Sequence, residues 1–306
     1  MPVMVWIHGD GSIGSGAQFD PARLVANGDV VVVTINFRLG VFGTFAHPDL
    51  KDSGTIGLQD QRAALQWVQR NAAAFGGDPG NVTLFGVSFG ATATSAHLMS
   101  KDSHGLFHRA IMQSGFTLMD MPAGVTYPQA PALPWYGWTT TKDAQAQGLA
   151  VAKQLGCKNL ACLRKVPVKK LLAIPQVMNI FQPYALGNDQ LPSDPVKALA
   201  DGDFAKVPIL TGITRDEHTT FVASSVSLRG VRQLTKAQVD LSNQMIAYWT
   251  NFARGGDPNG ESLPSWRKFA EPTDVQALRP APGQSGPVDF AADLLAGPKV
   301  GPCLSC

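Results

Sequence analysis

Residues 81–91 read Asn81-Val82-Thr83-Leu84-Phe85-Gly86-Val87-Ser88-Phe89-Gly90-Ala91. An apolar, β-branched run leads into G-x-S-x-G, and a helix is expected to follow Ser88, through Ala91 to Met99. Strand, glycine-flanked serine and helix, in that order, make a nucleophile elbow. The chain turns so sharply that Ser88 is held in a strained conformation with its oxygen exposed. Gly86 and Gly90 stand two residues before and two after the serine, where the backbones come too close for a Cβ. Ala91 is small enough for the helix to pack tightly on the strand. The helix N-terminus lends positive potential where an oxyanion would form. The plainer reading makes Ser88 a helix N-cap, its hydroxyl committed to a backbone N–H.

The surroundings supply a frame for such an elbow. Short apolar runs at Val3–Ile7, Val30–Asn36, Val82–Val87, Arg109–Gln113 and Val207–Ile213 alternate with helical patterns. That alternation predicts βαβ units and a mostly parallel sheet flanked by helices, an α/β fold. Leu58, Leu65, Val68, Ala72 and Phe75 mark one helix face, stopped by Gly76-Gly77-Asp78-Pro79-Gly80. Further helices are expected over about 143–155 and 241–253, the latter with Met245, Trp249 and Phe252 on one side. Pro122 to Thr141 reads as an irregular excursion over the sheet. No linker interrupts the pattern, so residues 1–306 are read as a single domain with a divergent tail at 294–306.

Composition narrows the partners. Lys and Arg number 25 against 23 Asp and Glu, a formal charge of +2 over 306 residues. Nothing in that balance points to nucleic acid or to an anionic surface. No stretch approaches the roughly 18 apolar residues of a membrane span. No signal peptide is recognisable at the start of this chain, so its compartment stays open. Cys303 and Cys306 form a lone C-x-x-C that lacks two further zinc ligands, so neither metal nor cofactor is expected.

A second segment, Trp6-Ile7-His8-Gly9-Asp10-Gly11, follows the first strand. Lipases and esterases place a glycine-rich loop there, and its backbone N–H groups face the oxyanion. The plainer reading is an ordinary glycine turn.

Taken with these, further segments resemble the carboxylesterase/cholinesterase family, the type-B carboxylesterases. They are P-V-M-V-W-I-H-G from Pro2, V-V-V-T-I-N-F-R-L-G-V-F-G from Val31, and G-L-Q-D-Q-R-A-A-L-Q-W-V from Gly57. F-G-G-D-P-G-N-V-T from Phe75, G-L-F-H-R-A-I-M-Q-S-G from Gly105, V-P-I-L-T-G-I-T-R-D-E from Val207 and Y-W-T-N-F-A-R-G-G-D-P-N from Tyr248 continue in order. The resemblance implies an α/β-hydrolase fold and hydrolysis of small carboxylic esters through a Ser-Glu-His triad. It puts Ser88 at the nucleophile and Glu217 at the acid, with Asp216 the competing carboxylate. Its oxyanion donors fall on the backbone of Asp10, Gly11 and Phe89. Cys157 and Cys162 match a family disulfide.

The departures concern the triad. The six histidines are His8, His47, His97, His104, His108 and His218. Only His218 follows Glu217, and as its immediate neighbour on a loop it is poorly placed to bridge the acid to Ser88. Tyr248 follows Glu217 by 31 residues, far closer than in the family, so the stretch from Ala223 to Asp240 reads as the join of an internal deletion. Elements that precede the first strand in the family are expected to be missing too, making the fold incomplete. Asp10 stands where the family has a small residue and brings a carboxylate towards a developing negative charge. Two functions follow from these facts. One is a carboxylic ester hydrolase working through an acyl-enzyme. The other is an impaired or inactive esterase-like homologue, or binding module, that lacks the triad histidine. Asn81-Val82-Thr83 is a glycosylation sequon, but it opens a strand read as buried. Oligomeric state is not legible.

Overall fold

The computed structural model describes residues 1–120, 123, 132, 137–214, 235–271, 274–279 and 285–288. Its centre is a parallel sheet of β1 (Val3–Ile7), β2 (Val31–Thr34), β3 (Val82–Val87), β4 (Arg109–Gln113) and β7 (Ile209–Gly212), in the order β2-β1-β3-β4-β7. The register runs Val3↔Val82 through Ile7↔Gly86, so the ends of β1 and β3 lie side by side. The loops that follow them therefore emerge together at the carboxyl edge of the sheet, where open α/β folds put their sites.

Strand alternation divides the core into two layers. Val3, Val5, Ile7 and Leu84 face a cluster with Leu58, Leu65 and Val68 of α2 (Ile56–Asn71) and with Phe89 and Ala93 of α3 (Phe89–Met99). Met4, Trp6, Phe85 and Ile111 face the other way. There they meet Phe252 and Ala253 of α9 (Lys236–Gly255), which also packs on α1 (Ala22–Gly28). Because α3 is covered all round, it has no polar stripe, and every one of its residues is buried.

Two segments depart from the sequence reading. The α2 stripe ends at Asn71, and residues 72–75 tighten into a 3-10 turn that closes on Gly76 at φ 77°. At three residues per turn, Phe75 is carried off the buried stripe. It is 62% exposed and meets the Trp67 ring at 5.9 Å. Within the expected irregular excursion, Trp138–Thr140 forms β5, which pairs in parallel with β6 (Tyr184–Leu186). Between these strands come α4 (Thr141–Gln154), α5 (Leu160–Leu163), α6 (Val168–Leu172) and α7 (Val177–Ile180). Cys157, in the loop after α4, is disulfide-bonded to Cys162 of α5. α8 (Pro195–Asp201) leads to β7, and β8 (Val275–Ala277) pairs antiparallel with β9 (Gly286–Val288).

Two motif residues quoted above do structural work. Arg38 grips Asp60 of α2 with Nε and one Nη at 2.7 and 2.6 Å, and its own backbone N–H reaches the same carboxylate at 3.0 Å. The pair ties the loop after β2 to α2. Asn81 donates to the Arg254 carbonyl and accepts from Arg109, while Thr83 is fully buried. The sequon is thus occupied by the fold itself.

Candidate active site

Ser88 sits between β3 and α3 with φ 56° and ψ −124°, a conformation that L residues rarely adopt. Its N–H donates to the Gln113 carbonyl at 2.8 Å, and its carbonyl accepts from Ala91 and Thr92. The side chain makes no capping hydrogen bond to the helix it precedes. The N-cap reading of Ser88 is therefore not what this geometry supports. The hydroxyl has no hydrogen-bond partner among the described residues.

The glycines account for the tightness of the turn. A Cβ on Gly86 would lie 2.5 Å from the carbonyl carbon of Gly90, and one on Gly90 would lie 2.6 Å from the His8 carbonyl oxygen. Gly9 packs against the elbow, its Cβ position 3.3 Å from the Ser88 Cβ. Gly11 packs on the Phe89 ring, 3.2 Å from its Cβ position, and Gln182 approaches it equally closely from beyond α7. The loop after β1 and the start of α3 are thus in contact. The N–H groups of Gly11 and Phe89 meet no acceptor among the described residues. Phe89 is the first residue of α3, where an unpaired N–H is intrinsic to an α-helix. The Gly11 carbonyl, by contrast, accepts from Gly40 at 2.8 Å.

Asp10 turns its carboxylate away from this pair. At φ 64° it folds back so that Oδ1 accepts from Ser12 N and Oγ, both at 2.7 Å, and from Ile13 N at 3.1 Å. Partial burial pushes its pKa up, but these hydrogen bonds and the nearby His8 outweigh burial and hold it below the usual carboxylate range. The charge is committed to the next turn of the loop.

His8 is buried, stacked on Phe37 at 4.5 Å, and its Nδ1 lies 2.7 Å from the Gly9 carbonyl oxygen. Burial lowers its pKa against the opposing pull of that carbonyl and of Asp10, so it is neutral at pH 7. It fastens the loop from within.

None of the five described histidines hydrogen-bonds Ser88. His47 accepts from Asp49 N, His104 meets the Leu98 carbonyl and His108 accepts from Val82 N. His97 lies inside α3 with Nδ1 2.8 Å from Ser103 Oγ and Nε2 3.0 Å from Gln61 Oε1. Gln61 in turn donates to the Tyr184 hydroxyl at 3.1 Å, and the Tyr184 ring packs on Phe89 at 5.4 Å. Burial first, and Arg62 second, lower the His97 pKa to about 3. This buried chain from Ser103 to Tyr184 has no signature in the sequence beyond the single polar residues that compose it. Glu217, His218, Asp216, Cys303 and Cys306 lie outside the described residues. Among the described residues no cluster of three or more His, Cys, Asp or Glu is arranged to hold a metal. No helix there is long and apolar enough to cross a membrane.

Comparison with known proteins identifies the family. The carboxylesterase family model matches residues 1–231 and 225–286. The two matched segments meet inside the stretch read as a deletion join. The chain is 41% identical over 225 residues to cocaine esterase of Oryctolagus cuniculus, covering 71% of this chain and 39% of that protein. It is 38% identical over 255 residues to para-nitrobenzyl esterase of Bacillus subtilis (strain 168), covering 81% of this chain and 50% of that protein. The chain thus spans half or less of the length of these curated relatives. Its fold is similar to a thermophilic PNB esterase with a TM-score of 0.71 at 26% identity, over 86% of this chain and 73% of that one.

Proposed function

The chain belongs to the carboxylesterase family, and on that premise we propose that it hydrolyses small carboxylic esters with Ser88 as nucleophile. One observation carries the reading: Ser88 is held at positive φ with its hydroxyl uncommitted among the described residues, beside a glycine loop that touches it. Ser88 Oγ attacks the ester carbonyl carbon, the alcohol leaves, and the acyl group is transferred to the serine. Water then hydrolyses the acyl-enzyme and returns the free serine.

The N–H groups of Asp10, Gly11 and Phe89 are assigned to the oxyanion. The reading is supported by the contact between their loop and α3, by the lack of other acceptors for Gly11 and Phe89 among the described residues, and by the direction of the Asp10 carboxylate. Loss of one such donor typically costs a factor of about 10²–10³. Glu217 is assigned as the acid that orients a histidine, on its place in the family motif. The histidine follows from no described residue, and His218 is the remaining candidate in the chain. Loss of a triad histidine costs on the order of 10⁴–10⁶, so its placement sets the rate.

The test is turnover of p-nitrophenyl acetate and butyrate by the wild type and Ser88→Ala, with fluorophosphonate labelling at neutral pH. Hydrolysis and labelling that both vanish in Ser88→Ala are expected. Equal rates in the two proteins would overturn the assignment.

A further inference from the structure

The charge of this chain is unevenly placed. Between Asp143 and Asp189 there is no acidic residue, yet Lys153, Lys158, Arg164, Lys165, Lys169 and Lys170 all fall there. These six cations are exposed, and none forms an ion pair with a described carboxylate. The remainder of the chain carries a net −4. The segment runs from α4 to α7, with its first loop closed by the Cys157–Cys162 bridge. Its inner side is apolar. Val151, Ile174 and Val177 pack with Val41 and Phe181, and Leu171 joins them.

The outer side is not simply polar. Val168 and Leu172, one turn apart on α6, are 55% and 46% exposed, and the exposed Lys169 and Lys170 lie between them in sequence. Apolar side chains set among cations fit a surface that is anionic outside and hydrocarbon within. A nucleic-acid strand would favour aromatic stacking platforms, and no Phe, Trp or Tyr occurs between Trp138 and Phe181.

We propose that this face of α4–α7 docks peripherally on an anionic lipid surface, with the cations at the headgroups and Val168 and Leu172 at the acyl boundary. Each cation near such a surface contributes about fivefold in partitioning. The interaction is a property of the segment and does not depend on acyl transfer at Ser88.

Vesicle sedimentation tests it, using phosphatidylcholine with and without phosphatidylserine. The expected result is binding that needs phosphatidylserine and is lost at high salt. Lys165→Ala/Lys169→Ala/Lys170→Ala should weaken it by about 100-fold. Leu172→Ser should weaken it while preserving the salt dependence. Lys197→Ala and Lys236→Ala, which remove cations paired with Asp201 and Asp240, should leave it unchanged. Equal partitioning without phosphatidylserine, or an unchanged triple variant of wild-type melting temperature, would overturn the proposal. So would binding to a DNA duplex as tight as to the vesicles and indifferent to Leu172→Ser. Because the readout is binding, failure here leaves the esterase reading intact, and loss of esterase activity leaves this one intact.

Discussion

Gly86 and Gly90 approach so closely across the elbow that a Cβ on Gly86 would lie 2.5 Å from both the carbonyl carbon and the oxygen of Gly90. The same Cβ would stand 2.9 Å from the Ile7 carbonyl oxygen. All three obstacles are backbone, so none can rotate aside. Gly86→Ala should therefore destabilise the protein by several kcal/mol, at the upper end of single substitutions, about 3 kcal/mol or more. Gly255→Ala, which meets nothing within 4 Å, is the matched control and should be neutral or mildly stabilising. Thermal melts of the two variants decide the point.

Strain at Ser88 is separable from its chemistry. Glycine relieves the cost of the positive φ and alanine does not. Ser88→Gly should melt higher than Ser88→Ala, by about 1 kcal/mol in stability, while both lack ester turnover. Melting that ranks alanine at or above glycine would count against a strained elbow.

The Asp10 carboxylate makes a pH-dependent contribution. Its folded pKa lies below the ordinary carboxylate value of 3.8. Its contribution is present above the unfolded pKa and fades as pH falls through the folded one. Asp10→Asn tolerates the φ of 64° and keeps an acceptor for Ser12, but removes the charge. The wild type should exceed this variant slightly at pH 7, by less than about 1 kcal/mol because the group is exposed. That margin should shrink by pH 3. Chemical denaturation at both pH values measures it.

His97 acts in the same direction over a higher pH window. Burial, reinforced by Arg62, keeps it neutral in the fold down to about pH 3, whereas in the unfolded chain it protonates near 6.5. Between those values the unfolded state binds the extra proton, so stability falls as pH falls. The slope from this one group is at most about 1.4 kcal/mol per pH unit. His97→Gln should flatten stability against pH over that window. It should also lower stability at pH 7 through the disturbed bonds to Gln61 and Ser103.

The Cys157–Cys162 bridge closes a loop with a sequence separation of 5. A loop of that size implies about 2 kcal/mol of stabilisation in the chain-entropy view. Cys157→Ser/Cys162→Ser, or wild type under reductant, should melt lower by a matching amount. Reductant should leave the double variant unmoved.

The sequence by itself determined the elbow and its frame. G-x-S-x-G after an apolar run specifies a strand, a forced turn and a helix through local sterics alone, and Val82–Val87 and Phe89–Met99 follow that reading. Apolar periodicity likewise placed α2 and the body of α9, whose start at Lys236 lies five residues before the expected 241, because one buried face repeats at 3.6 residues wherever a helix covers a sheet. Phe75 escaped that reading because a change from α to 3-10 winding leaves no mark on spacing. What only the tertiary structure decided depends on partners far apart in the chain. Gln61 and Tyr184 are 123 residues apart, and their hydrogen bond fixes which way Gln61 faces His97. Asp10 reads as a threat to an oxyanion until the positive φ turns its carboxylate onto Ser12 and Ile13. A hydrogen bond is directional and local composition is not. The pattern of residues could therefore bring Ser88 to the surface of the turn, but only the folded chain settles where each neighbouring charge and proton points.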